Sequence, residues 1–447
     1  MNKYFFIFIY MFFLVGCSET FVGYSDVLNQ YNTIYNTKSC DDTFIDEKSN
    51  SNLDLLMWYE LNGSMKRNCL DYNASNYYFD KAEELYKSDV DLENSALKLA
   101  KTIGTTFLND NMDSYRGNIY ESIMVNVYKG LNFMSIDKFG DARVEFNRAL
   151  DRQRRAKDEF SKEIEEEIAK LEKEDSNATK IATNKETQNV VYDAYNKSIF
   201  ADFVTYPDFI NPFATYMAGL FFIADKDYKK ANEMFKESLA MQPQNIFLKS
   251  EFKLSQELLV GKNHKKYIWL IYENGKSATK DEFRLDIPLF IVTDKVPYVG
   301  IALPTIKDGI NSYEYLTIDG ETSSEISNMD RVIKTEFKTK LPFIVTKSLI
   351  RTTIKTLAAY ASMDQNTYAG IGVGIFNLIT NKADVRSWVS LPKNFQAARV
   401  INLGKSVDIK NSQGGIIESL SIPDDKNAII YVNSPIQGSF SIHKIIF

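Results

Sequence analysis

Apolar positions recur at helical spacing through the first half of the chain and gather into short runs in the second. Tyr24, Val27, Leu28, Tyr31, Ile34 and Tyr35 lie three or four residues apart, which predicts a leading helix. Residues 90–108 carry a second amphipathic pattern. From Asp151 to Glu174 the chain is dense in charge, with Phe160, Ile164, Ile168 and Leu171 on one stripe, predicting a helix that projects from the body. The polar stretch 172–190 reads as its loop tip. After His264 the pattern changes. Tyr267-Ile-Trp-Leu-Ile-Tyr272 is a strand signal closed by the turn pair Asn274-Gly275. Phe283–Phe290, Pro297–Leu303, Ala397–Leu403, Ser406–Ile409, Gly415–Ile422 and Ala428–Ser434 read as further strands. Ser327–Met363 predicts one long helix or two, bent or broken at Pro342. Residues 369–379 are glycine-rich and apolar, and read as a close-packed helix. The expected fold is α+β: a helical solenoid followed by an α+β domain with a mainly antiparallel sheet.

Three segments of the helical half share one ruler. Gly63 is followed by Ser75, Phe79 and Ala82; Gly130 by Ala142, Phe146 and Ala149; Gly219 by Ala231, Phe235 and Ser238, always at offsets of 12, 16 and 19 residues. Small residues at the first two positions let two helices touch, and the aromatic ring fills the gap between them. This is the tetratricopeptide pattern, although the units lie 67 and then 89 residues apart, so other helices separate them. Three segments follow: an export signal over 1–16, a repeat domain over 17–262 with its charged extension near 151–190, and an α+β domain over 263–447. In such solenoids the first helix of each pair lines a concave groove. Met124, Val127, Leu131 and Met134 would face it from one unit, and Phe213, Tyr216, Leu220 and Ile223 from another. Two readings stay open: the chain's own helices cover these apolar residues, or a peptide- or lipid-like partner does.

The first seventeen residues have a chemistry of their own. A basic start, Met1-Asn2-Lys3, leads into an apolar run from Tyr4 to Val15 that is short for a spanning helix and has the shape of a secretory signal. It ends Leu14-Val15-Gly16-Cys17, which resembles the bacterial lipobox. Acylation of the Cys17 thiol and of the new amine would anchor the chain, and Ser18 rather than Asp favours an outer membrane. Removing residues 1–16 takes the formal charge from −6 to −7, so the broad basic surface of a nucleic-acid binder is not expected. Cys40 and Cys69 would then meet an oxidising compartment, where their spacing allows either a disulfide or two free thiols. Two histidines, His264 and His443, leave little for a metal site, and no cofactor is expected. The chain contains no P-loop, no H-E-x-x-H and no G-x-S-x-G motif. Asp384, Arg386 and Trp388 form a dense polar–aromatic cluster, either an ion pair stitching a loop to a strand or a ligand site.

Several stretches resemble an uncharacterised family of bacterial lipoproteins carrying tetratricopeptide repeats. They are Tyr115-Arg-Gly-Asn-Ile-Tyr-Glu121, Lys129-Gly-Leu-Asn132 through Gln153, Asn211-Pro-Phe213, Gly275 through Pro288, Gly300-Ile-Ala-Leu-Pro304 and Ala383-Asp-Val-Arg-Ser-Trp388 through Arg399. The resemblance implies a lipid-anchored helix-repeat protein with a β-containing C-terminal domain. Such proteins are often encoded near lipoproteins that activate penicillin-binding proteins. The expectation is a non-enzymatic scaffold, held by Cys17 to the periplasmic face of the outer membrane and binding envelope proteins. Regulation of peptidoglycan synthesis is a narrower version of the same reading. An envelope hydrolase with its site in the C-terminal domain is the alternative from another class.

Overall fold

The computed structural model describes residues 24–40, 54–91, 115–174, 180, 183–198, 203–207, 210–287, 299–365 and 383–447. Helices come first: α1 (Tyr24–Asn36), α2 (Leu55–Asn68), α3 (Tyr72–Asp91), α4 (Ile119–Ser135), α5 (Phe139–Glu174), α6 (Lys185–Ser198), α7 (Pro212–Ala224), α8 (Tyr228–Met241) and α9 (Ile246–Leu259). Their starts are written in the local sequence. Asn118 and Glu121 make a capping box on α4, and Asn211 accepts from the Ala214 N–H with Pro212 opening α7. Asp227 and Asn245 cap α8 and α9 in the same way.

The shared ruler corresponds to a close approach within each of three helix pairs. A Cβ placed on Gly63 would lie 2.4 Å from the Phe79 ring. The corresponding distances are 2.9 Å from Gly130 to Phe146 and 3.0 Å from Gly219 to Phe235. The absent side chain is therefore the space the aromatic ring occupies in α2/α3, α4/α5 and α7/α8. The Ser75 hydroxyl adds a 2.8 Å bond to the Gly63 carbonyl, tying the first pair at its crossing point. Cys40, after α1, and Cys69, at the end of α2, are joined by a disulfide with a Cα separation of 6.0 Å.

The second half supplies β1 (Tyr267–Asn274), β2 (Thr279–Ile287), β3 (Val299–Lys307), β4 (Leu316–Ile318), β5 (Glu321–Thr322) and β6 (Ser324–Asn328). Helix α10 (Met329–Gln365) follows, then β7 (Asn394–Ile401), β8 (Ser406–Asn411), β9 (Ile416–Ser421), β10 (Ala428–Ser434) and β11 (Ser441–Ile446). A five-stranded sheet runs β11-β10-β1-β7-β6, parallel at β1/β10 and antiparallel elsewhere. A four-stranded sheet runs β5-β4-β8-β9, and β2 pairs with β3 alone. β1 is buried along its whole length because both faces of its sheet are covered. Trp269, Ile271, Phe395 and Tyr431 face the helices, within an apolar cluster that reaches back to Tyr31 in α1. Ile268, Leu270, Tyr272 and Ile430 face Leu316, Ile318 and Ile409 of the four-stranded sheet. A third cluster joins Val191 and Tyr195 of α6 to β3 and to Phe337, Leu341 and Leu349 of α10. The fold is thus α+β, helices first and sheets second, with one core running through both halves.

Several expectations change. The stretch 172–190 is not simply a loop tip, because α6 starts at Lys185. Asn184 accepts from the N–H groups of Glu186 and Thr187, and burial of Val191 and Tyr195 holds the new helix down. Helix α10 continues through Pro342. The expected strands at residues 283–290 and 297–303 begin elsewhere, as β2 and β3. Helix α9 and strands β4, β5, β6 and β11 were not anticipated. The Asn274-Gly275 turn is present: Gly275 has φ +67°, and a Cβ there would meet the Ile310 carbonyl. The glycine-rich stretch 369–379, residues 92–108 and the side chains of Phe160, Ile164, Ile168 and Leu171 lie outside the described residues. Among the described residues no helix is long and apolar enough to cross a membrane.

Filling the first crossing point tests the packing. Gly63→Leu must displace Phe79 and is expected to lower stability by about 1–3 kcal/mol, as overpacking does. Gly140→Ala, where nothing lies within 4 Å of the new Cβ, is expected to change it by less than about 0.5 kcal/mol. Denaturant midpoints read both.

Candidate functional site

The segment 383–393 enters the helical half and is where charged and aromatic residues from distant parts of the chain converge. Arg386 is 3% exposed. Its guanidinium donates to Asp384 at 2.8 and 2.9 Å and to Asp54, the residue that opens α2. Asp54 sits in the left-handed region at φ 60°, so the ion pair holds a backbone conformation that few side chains adopt freely. The Tyr115 ring lies 5.6 Å from the same guanidinium. Two residues on, the Trp388 ring packs 5.7 Å from Phe79 and 5.8 Å from Tyr128. Its indole N–H reaches Ser64 and Ser390, and its backbone N–H donates to Glu121 at 3.0 Å. The cluster of Asp384, Arg386 and Trp388 therefore stitches the C-terminal half to α2, α3 and α4.

Glu121 is fully committed. Besides Trp388 it accepts from the hydroxyls of Tyr115 and Tyr120 and from the Asn118 N–H. Glu60 stands nearby and accepts from Tyr86, while its Oε2 has no hydrogen-bond partner among the described residues. Burial, helped by the charge of Glu121, pushes the Glu60 carboxyl well above its ordinary range. Glu336, on α10, accepts from the N–H groups of Ile119 and Tyr120 and so serves the N-terminus of α4.

A second buried group lies where α2 meets the sheet. Arg67 donates to Asn132 at 2.7 Å and lies over the rings of Tyr128 and Tyr431. Tyr431 donates to Glu273 and stacks on His443 at 5.2 Å. Burial raises the Glu273 carboxyl, a shift that Arg67 opposes. Burial, with Arg67 beside it, pushes the His443 imidazole well below its usual value. A third group centres on Lys129 of α4, with Glu83 at 2.6 Å, Asp80 at 2.7 Å and Glu145 at 3.0 Å. Burial alone would lower that ammonium, but the three carboxylates outweigh it and its pKa rises.

The proposed groove is not open. Met124, Val127, Leu131, Phe213, Tyr216 and Leu220 are fully buried, Met134 is 1% exposed and Ile223 is 4% exposed. The reason is that other parts of the chain, from both halves, cover the first helices of the pairs. Phe213 stacks on Phe395 at 3.5 Å, Tyr216 packs on Phe247, and Met124 accepts from Asn211. These eight residues are core. A cavity of about 10 Å³, lined by Tyr120, Ile123, Val332 and Glu336 among others, has room for about one water. Cys17 lies outside the described residues. No group of three or more His, Cys, Asp or Glu among the described residues is placed to hold a metal ion. Sequence reasoning singled out Arg386 and Trp388 but missed Glu60, Arg67, Lys129 and Glu273. Of the helical-half residues that bind this segment, Glu121 carries a local signal in the capping box Asn118-x-x-Glu121, and Phe79 carries one in the Gly63 ruler.

Removing one partner of the stitch leaves a buried charge alone. Arg386→Met is expected to cost about 3–5 kcal/mol of stability. Combining it with Asp54→Asn should cost less than the sum, because both changes break one ion pair. Glu60 gives a pH test. Its folded pKa lies above the ordinary 4.5, so its contribution is present below that value and is lost as pH rises through the raised one. Glu60→Gln is therefore expected to lose less stability than the parent as pH rises above about 5, read from denaturant midpoints. The chain matches no protein-family model, no curated protein and no solved structure.

Proposed function

We propose that this chain is a lipid-anchored, non-enzymatic scaffold on the periplasm-facing side of a bacterial outer membrane, where it binds envelope proteins. The observation that carries the reading is the threefold glycine–phenylalanine crossing at Gly63/Phe79, Gly130/Phe146 and Gly219/Phe235. It is the packing device of tetratricopeptide pairs, and that architecture serves protein docking. The basic start, the apolar run and Leu14-Val15-Gly16-Cys17 support the anchor. The interior supports a holding role: Glu121, Lys129 and Arg386 are each occupied with partners within the fold. Because the eight apolar residues of the groove are interior, the binding faces on this reading are outer ones.

Two measurements test the reading. Cys17→Ala in cells is expected to move the protein from the membrane to the soluble fraction, and continued membrane retention would overturn the anchor. Crosslinking in the intact envelope followed by mass spectrometry is expected to recover envelope proteins joined to this chain. Recovery of none would overturn the scaffold, and recovery of a penicillin-binding protein or its activator would narrow it to regulation of peptidoglycan synthesis.

A further inference from the structure

Four large apolar side chains are exposed at one end of the five-stranded sheet. Leu259 and Val260 end α9, Ile401 ends β7 and Leu403 lies in the loop after it; they are 45%, 62%, 44% and 70% exposed. The topology brings them together. Ile401 pairs with Tyr267, the first residue of β1, and the Asn402 N–H bonds the Lys266 carbonyl at 2.8 Å. Asn263 bonds both Glu257 in the last turn of α9 and the Tyr267 hydroxyl, so the end of α9 is fastened beside the start of β1. The Asn402 side chain also holds the carbonyls of Pro423 and Lys426, which adds the loop before β10. Exposed apolar residues scattered singly need no explanation, but four at the joined ends of three elements form a patch.

The charge around that patch is opposite in sign to the whole chain. Lys262, Lys265, Lys405 and Lys426 are exposed in these loops. Asp424 and Asp425 are the acidic residues of the same loops, in a chain whose formal charge is −6. Protein–protein interfaces are depleted in lysine and enriched in aromatic residues. Here the exposed prongs are aliphatic, Tyr267 at this end is buried and Phe447 half-buried, and exposed lysines surround them. Aliphatic side chains that enter the acyl boundary, with lysines at the headgroup level, are the pattern of a bilayer contact. We infer that this end of the sheet docks on the surface of an anionic lipid bilayer. The contact does not rest on the lipid anchor. Helix α1 sits at the other end of β1, where Lys276 reaches Asn32 and Asn433 reaches Tyr35.

The test is amine footprinting of the full chain mixed with excess vesicles. Acetylation of Lys262, Lys265, Lys405 and Lys426 is read by mass spectrometry, with exposed Lys138 and Lys236 as references. Vesicles of phosphatidylethanolamine and phosphatidylglycerol are expected to protect the four patch lysines several-fold and to leave the references unchanged. Phosphatidylcholine vesicles are expected to protect none. The double variant Val260→Asp/Leu403→Asp is expected to abolish the protection. Lys405→Gln and Lys426→Gln are each expected to weaken vesicle binding about fivefold. All four positions are exposed, and an unchanged circular dichroism melting curve shows that the fold is kept. Equal reactivity with and without anionic vesicles would overturn the inference. So would protection that ignores headgroup charge or survives the double variant, or protection that appears only on adding envelope proteins, which would assign the patch to a protein. Failure of the anchor would instead show as loss of Cys17-dependent membrane retention, with the footprint unaffected.

Discussion

The packing of Trp388 against both Phe79 and Tyr128, which also stack on each other, is the contact on which the joining of the two halves depends. Phe79 fills the crossing of α2 with α3, and Tyr128 belongs to α4 of the next pair, so one indole ring bears on two helix pairs at once. Its N–H groups are committed to Ser64, Ser390 and Glu121, and burial of a ring this size without those partners would be costly. Arg386 then fixes the approach of the segment by pairing with Asp54 at the start of α2. From this junction the apolar core runs without interruption from Tyr31 to Ile445. The helical half and the sheet are separate in sequence but share their interior.

A second feature of that interior is how much charge it holds. Lys129, Arg67 and Glu273 are each nearly inaccessible to solvent, and each is balanced by groups from another element. Lys129 draws carboxylates from α3 and α5, which adds to the glycine contacts that hold neighbouring helices together. Such groups are expensive to bury alone and tolerable only in company, so they favour one arrangement of the helices over slipped alternatives. The same logic bears on Glu60: Tyr86 satisfies one oxygen, and burial beside the charge of Glu121 pushes its carboxyl well above the ordinary range.

How much could be read from the chain varied with the range of the interaction. The three rulers were legible because glycine and phenylalanine sixteen residues apart meet within one helical hairpin. The capping residues Asn118, Asp227 and Asn245 were equally local. The β1 run was legible because a strand covered on both faces is apolar throughout. β4, β5 and β6 were not, since strands of three, two and five residues carry too few positions for a period to show. The start of α6 was hidden for another reason: Val191 and Tyr195 become a core stripe only against β3 and α10.

The candidate site divides along the same line. By itself the sequence placed Arg386 and Trp388 beside Asp384 and carried the Gly–Phe spacing that three helix pairs share. It also placed Met124 and Leu131 on one face of one helix, and Phe213 and Leu220 on one face of another. Whether those faces were open or covered was decided only by the tertiary structure, because Phe395 and Phe247 arrive from elsewhere in the chain. Tertiary structure also decided which carboxylates surround Lys129 and that Leu259 and Leu403, 144 residues apart, lie at one end of the sheet. Periodicity records which side of an element avoids water. It does not record what keeps the water away, which depends on groups brought together by folding.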